Sequence, residues 1–402
     1  MTVATEARPH TFVILTLALA TRTLTLLFVM QRFPRMWLYS RGIELGTLAQ
    51  SLVVGHGLSS PFGGSTGPTA LLSPGYPLVI ALCFRIFGSF TFQAAVAVMV
   101  LQLLFSLATV LLVIQIAAQC FGARAANLAG TFWAVSLPLV WMPTIFWETC
   151  LSTLLLLGMV ALSLCAVARP RPILWPVIGA YCGLAALVNP ALLLTLLALL
   201  IWAAWQTRKT YRLAPLLGLL VLALVYAPWP IRNARVLGAF IPMRSTVAFE
   251  LWMGNRADAT GFLDESLFPI FNRTEFDQYA ALGEVAYMRN KSALAQEHIR
   301  AHAGEFLRLS TLRFLRYWTG SGSQHGSVVF TIHAVLTSLG GAIGLGRLWQ
   351  KRSFRLAGLL LLPLILFPLP YYITHAEFRY RLVVDPLLTI LAAYGVSASR
   401  AS

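Results

Sequence analysis

Ten stretches of this chain are apolar enough, and long enough, to lie in a lipid bilayer, and nothing else in the sequence narrows its fold as much. A helix needs about 20 apolar residues to cross the hydrocarbon core. Inside that core only helices and closed barrels satisfy every backbone N–H and C=O. Runs of this kind occur at 11–30, 92–118, 125–142, 149–168, 173–188, 190–206, 213–229, 326–345, 355–373 and 380–397. They predict an all-α polytopic membrane protein with about ten transmembrane helices. Composition points the same way: 58% of the residues are hydrophobic and 11% charged, against about 45–50% and about 25% in soluble domains.

A further apolar stretch, 76–87, is short, follows Pro74-Gly75 and contains Arg85, so it reads as a juxtamembrane or re-entrant helix. Loop charges test that reading, because short cytoplasmic loops carry the excess of Lys and Arg. With ten spans, one side of the bilayer receives Arg8, Arg124, Arg169, Arg171, Arg208, Lys209, Arg212, Arg347, Lys351, Arg352, Arg355 and Arg400. An eleventh span at 76–87 would break the pattern. Twelve of the fourteen acidic residues then fall on the opposite, extracytoplasmic side: Glu44, Glu148, nine between Glu250 and Glu305, and Glu377. Glu6 and Asp385 are the exceptions. The net charge of +16 is spread between the spans, which marks topology and contact with anionic lipid rather than a nucleic-acid surface. Arg8 and His10 precede the first run and no small-residue cleavage site follows it, as expected of a retained span.

Three polar regions therefore face outward: the loop 31–74, the turn 143–148 and an insertion at 230–324. The expected organisation is an N-terminal transmembrane module over 1–229 with juxtamembrane helices at 31–90, the insertion at 230–324, and C-terminal transmembrane helices over 325–402. In the insertion, Tyr279, Leu282, Ala286, Met288, Leu294, Ile299, Phe306 and Leu309 recur at helical spacing with charges between them. This predicts a mainly helical segment laid against the membrane.

Chemistry that needs carboxylates has to occur in these outer segments. Ile43, Leu45, Leu48, Leu52 and Val53 form an apolar face, which puts Glu44 near the start of an interfacial helix that Gly55-His56-Gly57 ends. Glu44 is either an acid favoured by the helix dipole or a carboxyl with a desolvated, raised pKa that serves as a general base. Spacing alone favours the first. Glu148, at the start of a span, has the same plain reading, or else is a second carboxylate that orients a polar ligand or a metal. Arg232 and Arg244 are either interfacial anchors with snorkelling stems or phosphate ligands, since guanidinium meets phosphate in a bidentate fashion. The turn from His375 through Glu377 and Arg379 to Arg381 is denser in charge than a loop between spans requires. His56, Asn233 and Asn255 complete the candidate substrate-binding set. Cys83, Cys120, Cys150, Cys165 and Cys182 lack any CxxC or zinc-type spacing and read as packing residues. Walker A, GxSxG, HExxH and GxGxxG patterns are absent.

Along nearly its whole length the layout resembles the GT-C glycosyltransferases, in particular the family 39-like branch with protein O-mannosyltransferases and aminoarabinose transferases. The resemblance rests on the first-loop acid followed by Ala49-Gln50-Ser51-Leu52-Val53-Val54-Gly55-His56-Gly57, on Pro74-Gly75-Tyr76-Pro77-Leu78 and Phe121-Gly122-Ala123-Arg124, and on an outer acid before the fourth span. Pro228-Trp229-Pro230-Ile231-Arg232-Asn233 and Phe378-Arg379-Tyr380-Arg381-Leu382 are similar to recurring segments of bacterial members. It implies transfer of a sugar from a polyprenyl-phosphate carrier to a lipid, glycan or protein acceptor, with inversion, on the outer face of a bacterial cytoplasmic membrane. On that resemblance Glu44 deprotonates the acceptor, Glu148 matches the acid of the fourth span, and Arg232, Arg379 and Arg381 meet the lipid phosphate. The chain departs from the pattern at Ile43-Glu44-Leu45, where a lone carboxylate replaces the acidic pair of many members. No metal and no cofactor are expected on that account. The rival classes are a lipid or sugar-lipid transporter and a non-catalytic envelope-assembly scaffold. Transporters place ionisable groups near the midplane and often carry internal repeats, whereas the spans here have few such groups and no repeat.

Overall fold

The computed structural model describes residues 9–32, 43–320 and 328–397; Glu6, Arg8, Arg400 and the first-loop residues before Ile43 lie outside the described residues. Among the described residues the regular elements are helices, with one isolated bridge between Ser59 and Pro68. Seven helices have the length and hydropathy to cross a bilayer: Thr11–Arg32, Phe92–Val135, Thr149–Ala168, Pro190–Thr207, Ala214–Leu237, Val328–Gln350 and Phe354–Ile373. Large apolar side chains such as Phe12, Leu213, Leu224 and Val328 point outward from them, as a lipid solvent requires. The protein is a multi-pass helical membrane protein.

Phe92–Val135 is 44 residues long and consists of two rods, because Gly122 takes φ 84° and ψ 174°, a conformation open essentially to glycine. The two apolar runs predicted at 92–118 and 125–142 are these rods. The second ends at Val135 rather than 142, where Ser136 and Pro138 interrupt it. Arg22, fully buried in the first helix, donates to the carbonyls of Trp133 (3.0 Å) and Ala134 (3.1 Å) at that end. A cation at a helix C-terminus meets the negative end of the dipole, which lets an arginine sit inside the bundle.

Two of the expected spans are short. Leu174–Val188 has 15 residues, and a Cβ added to its Gly179 would lie 2.0 Å from the Gly218 carbonyl oxygen. Small residues of this kind let helices pack closely where lipid supplies no hydrophobic driving force. The run predicted at 380–397 is broken into Phe378–Leu382 and Asp385–Ser397. Asp385 is wholly buried there against Arg381 and its other carboxylate oxygen lies 2.9 Å from His333 Nε2, so this acid belongs to the bundle. Cys83, Cys150 and Cys182 are buried as expected of packing residues, while Cys165 is exposed on the outer side of its apolar helix.

Shorter, more polar helices cover this bundle: Ile43–Val53 and Gly75–Phe87 from the first loop, then Val247–Asn255, Arg273–Leu282, Glu284–Ala301 and Ala303–Thr319. Gly75–Phe87 has 13 residues, about 20 Å at 1.5 Å per residue, less than the ~30 Å hydrocarbon core; it packs along Ile43–Val53. The insertion is helical as predicted, but its buried stripe differs. Leu282 and Leu294 are exposed, while Glu284, Tyr287, Met288, Lys291 and Ala295 are buried. Polar partners account for this. Glu284 accepts from the Thr69 hydroxyl, from the Ala70 N–H at 2.8 Å and from the Tyr279 hydroxyl at 2.7 Å. Lys291 pairs with Glu275 at 2.7 Å and lies 3.6 Å over the Trp252 ring. These bonds clamp the first loop to the insertion around Phe62, Phe249, Tyr279 and Tyr287.

Candidate functional site

The three outward-facing polar regions and the charged last turn meet around one cavity. Glu44 comes from the first loop, Trp147 and Glu148 from the turn before Thr149–Ala168, Arg244 and Glu250 from the insertion, and His375, Arg379 and Tyr380 from the last turn. The cavity is narrow, about 50 Å³, and two larger hollows open from it. One of about 160 Å³ shares Glu44, Trp147 and Arg379 and adds Glu265 and Phe271. The other, about 220 Å³, shares Arg379 and is otherwise walled mostly by apolar groups, among them Pro138, Trp141, Phe330, Phe378 and Leu382, with Glu265 and Glu377 also in its lining. Arg379 stands at the junction of all three.

Glu44 is not the exposed helix-start acid that its spacing favours. It is 3% exposed, on the same buried face as Leu45, Leu48 and Ala49. Burial raises its pKa to about 7, against the pull of its own backbone N–H and of Arg379, with Glu265 and Glu250 adding to the rise. A carboxyl near pKa 7 exchanges protons at neutral pH, which a general base requires. Glu148 flanks the start of Thr149–Ala168, yet its side chain does not cap that helix and instead lines the cavity.

Arg244 Nη2 reaches both Glu250 oxygens, at 3.1 and 3.2 Å. Burial drives the Glu250 pKa up despite Arg244 and Arg379. Arg379 donates through Nε to Glu377 and through Nη2 to the Tyr380 hydroxyl at 3.2 Å, and its guanidinium lies 4.1 Å over the Trp147 ring. Burial disfavours its charge, but Glu377, Tyr380 and Glu148 outweigh burial and raise its pKa, so it stays cationic. The buried His375 holds Nε2 2.7 Å from the Tyr380 hydroxyl; burial, then Arg379 and Arg244, lower its pKa well below the ordinary value, which keeps it neutral.

Five of the predicted site residues lie elsewhere. Arg232 donates to the carbonyls of Thr69 (2.6 Å) and Leu58 (2.9 Å) and so ties down the first loop. Asn233 is fully buried and donates to the Ile241 carbonyl. Asn255 bonds the Leu251 and Ile373 carbonyls and accepts from Arg313. Arg381, also fully buried, serves Asp385, Thr337, Ser338 and the Ala334 carbonyl. His56 stands exposed just past the first-loop helix. In each of the first four, tertiary carbonyl or hydroxyl partners take up the polar atoms that a ligand would need. Glu250, Trp147 and Tyr380 were not singled out: Glu250 is one acid among nine in the insertion, and its pairing with Arg244 depends on the fold. Among the described residues no three His, Cys, Asp or Glu side chains are grouped to hold a metal ion.

The arrangement of helices is similar to that of solved oligosaccharyltransferases. The oligosaccharyltransferase of Archaeoglobus fulgidus in its apo form aligns over 95% of this chain and 50% of its own, at 14% identity and a TM-score of 0.56. The same organism's oligosaccharyltransferase AglB, in complex with an inhibitory peptide and a dolichol-phosphate, aligns over 96% and 50%, at 12% identity and a TM-score of 0.55. The chain spans about half the length of these structures. ArnT from Cupriavidus metallidurans, apo, aligns over 89% of this chain and 73% of its own at 16% identity, with a TM-score of only 0.38. Residues 71–231 match the family model described as dolichyl-phosphate-mannose-protein mannosyltransferase; that stretch holds Glu148 but neither Glu44 nor the turn at Arg379. No curated protein sequence matches the chain.

Proposed function

We propose that this protein is an inverting glycosyltransferase that moves a hexosyl or pentosyl group from a polyprenyl-phosphate carrier to a lipid, glycan or protein acceptor. The site faces the extracytoplasmic side of the bacterial cytoplasmic membrane, where the loop charges put its segments. The observation that carries this reading is the position of Arg379, a fixed cation where an apolar hollow meets a carboxylate-lined cavity. The hollow suits a polyprenyl tail, and the Arg379 guanidinium, with Nη1 left over from its bonds to Glu377 and Tyr380, suits the phosphate. Glu44, poised near pKa 7, takes the proton of the acceptor hydroxyl as that oxygen attacks the anomeric carbon. The phosphate leaves from the opposite face, its growing charge met by Arg379. Glu148 and Arg244 hold the polar end of the substrate, while the neutral His375 keeps the Tyr380 hydroxyl, and through it Arg379, in place.

The test is transfer from undecaprenyl-phosphate carrying a radiolabelled sugar, in membranes bearing the wild-type chain or Glu44→Gln. Loss of transfer in the variant is expected; full transfer would remove Glu44 from the base role. Among the described residues Arg22 and the His333, Arg381 and Asp385 group are charged or titratable groups inside the bundle, and each is held by protein partners, so the transporter reading gains nothing from them.

A further inference from the structure

A recess opens from the cavity between Glu148 and Arg244 and runs inward against Leu45, Ser73, Tyr76 and Pro190. Its volume is about 10 Å³, room for one water-sized group. Three helices begin around it: Gly75–Phe87 next to Ser73, Thr149–Ala168 at Glu148, and Pro190–Thr207. Gly75 makes this convergence possible, because a Cβ there would lie 2.8 Å from both the Leu187 carbonyl oxygen and the Val188 side chain.

Two buried hydroxyls in this recess have no hydrogen-bond partner in the protein: Ser73 Oγ and Tyr76 Oη, on side chains 5% and 2% exposed. Buried polar groups are nearly always paired, and an unpaired one carries a standing desolvation cost. Two in one recess, beside a carboxylate that does not cap its own helix, describe a site shaped for a polar group from outside. We propose that this recess reads a single hydroxyl of the donor sugar, so that Ser73 and Tyr76 determine which sugar is accepted.

The inference rests on the donor reading of the main cavity. A sugar hydroxyl both donates and accepts, and the recess offers an acceptor carboxylate, a donor guanidinium and two hydroxyls able to do either. An ammonium there would meet Arg244 and a carboxylate would meet Glu148, while a phosphate exceeds the space. The recess and the apolar hollow also open from the main cavity through different residues, Glu148 and Arg244 for one and Arg379 for the other. A donor with its tail in the hollow and its phosphate at Arg379 has its sugar in the main cavity, from which the recess opens.

The experiment uses the full-length chain in lipid nanodiscs, with undecaprenyl phosphate and its mannosyl, glucosyl and galactosyl derivatives as probes. Dissociation constants and ligand-free melting are measured for wild type, Ser73→Ala and Tyr76→Phe. Wild type should bind one sugar-bearing lipid more tightly than the bare phosphate. Each variant should weaken that lipid about tenfold, the worth of one hydrogen bond, leave undecaprenyl phosphate binding unchanged, and melt at or above wild type. The deoxy sugar lacking the recognised hydroxyl should lose as much on wild type and nothing further on the variants. Equal weakening of both lipids, no weakening, or no gain from any of the three sugars overturns the assignment and leaves the donor reading standing. Failure of wild type to bind undecaprenyl phosphate or any sugar-bearing lipid refutes the donor reading, and the assignment with it.

Discussion

Replacing Glu44 with glutamine should stabilise the protein while abolishing its chemistry. The carboxyl is buried and its pKa rises from the ordinary 4.5 to about 7. At about 1.36 kcal/mol per pKa unit, the ionised form costs the folded state about 3 kcal/mol relative to the unfolded chain. The sign follows from the direction of the shift. Below pH 4.5 the group is protonated in both states and carries no penalty. As pH rises toward 7 the unfolded state gains from ionisation while the folded state does not, so stability falls; above pH 7 the penalty is constant. Glutamine keeps the shape of the protonated acid and cannot ionise. The melting temperatures of wild type and Glu44→Gln, measured in detergent from acid to pH 9, should coincide below the unfolded pKa and separate in favour of the variant through the neutral range. Transfer should fall by about 10²–10⁴, the usual worth of a general base. A wild-type stability that is flat across this range, or a variant that melts lower at pH 8, would refute the burial argument.

Arg379→Ala should weaken donor binding by about tenfold or more and move the rising limb of the pH–rate profile upward, because the Arg379 charge lowers the Glu44 pKa; an unmoved limb would separate the two residues. Glu284→Ala strips the acceptor from Thr69, Ala70 and Tyr279 and should cost at least about 2 kcal/mol, seen as a lower melting temperature, with unchanged melting as the contrary result. Chelation with EDTA should leave transfer intact, given a single carboxylate in the first loop; loss of activity that manganese or magnesium restores would contradict this.

The transmembrane layer was largely legible because lipid imposes a coarse rule that long apolar runs obey. The break at Phe121-Gly122 and the shortness of 76–87 could be read for the same reason. Breaks made by tertiary contact could not: the last run splits around the buried Arg381 and Asp385. In the site, one-sided acidity pointed to Glu44, Glu148, Arg244 and the turn at Arg379, which the fold brings around one cavity. It could not separate out Arg232, Asn233, Asn255 and Arg381, which the fold places elsewhere, since an arginine or asparagine that ties backbone carbonyls together has the same local sequence as one that meets a ligand. Ser73 gave no signal and Tyr76 only a place in the Pro74–Leu78 segment, because a hydroxyl is conspicuous only when the fold leaves it buried without a partner.

The central claim is that the cavity at Glu44 and Arg379 cleaves the bond between a sugar and a polyprenyl phosphate. Its most direct measurement incubates the purified chain in nanodiscs with undecaprenyl-phosphate-[¹⁴C]sugar and a membrane extract as acceptor source, then counts free undecaprenyl phosphate and label in new glycosidic linkage. Wild type should release carrier and form linked label in equal amounts, Glu44→Gln should do neither within the same incubation, and Arg379→Ala should do both more slowly. Intact donor recovered in full, together with its movement across the bilayer in liposomes, would contradict the account and identify a carrier of lipid-linked sugar instead.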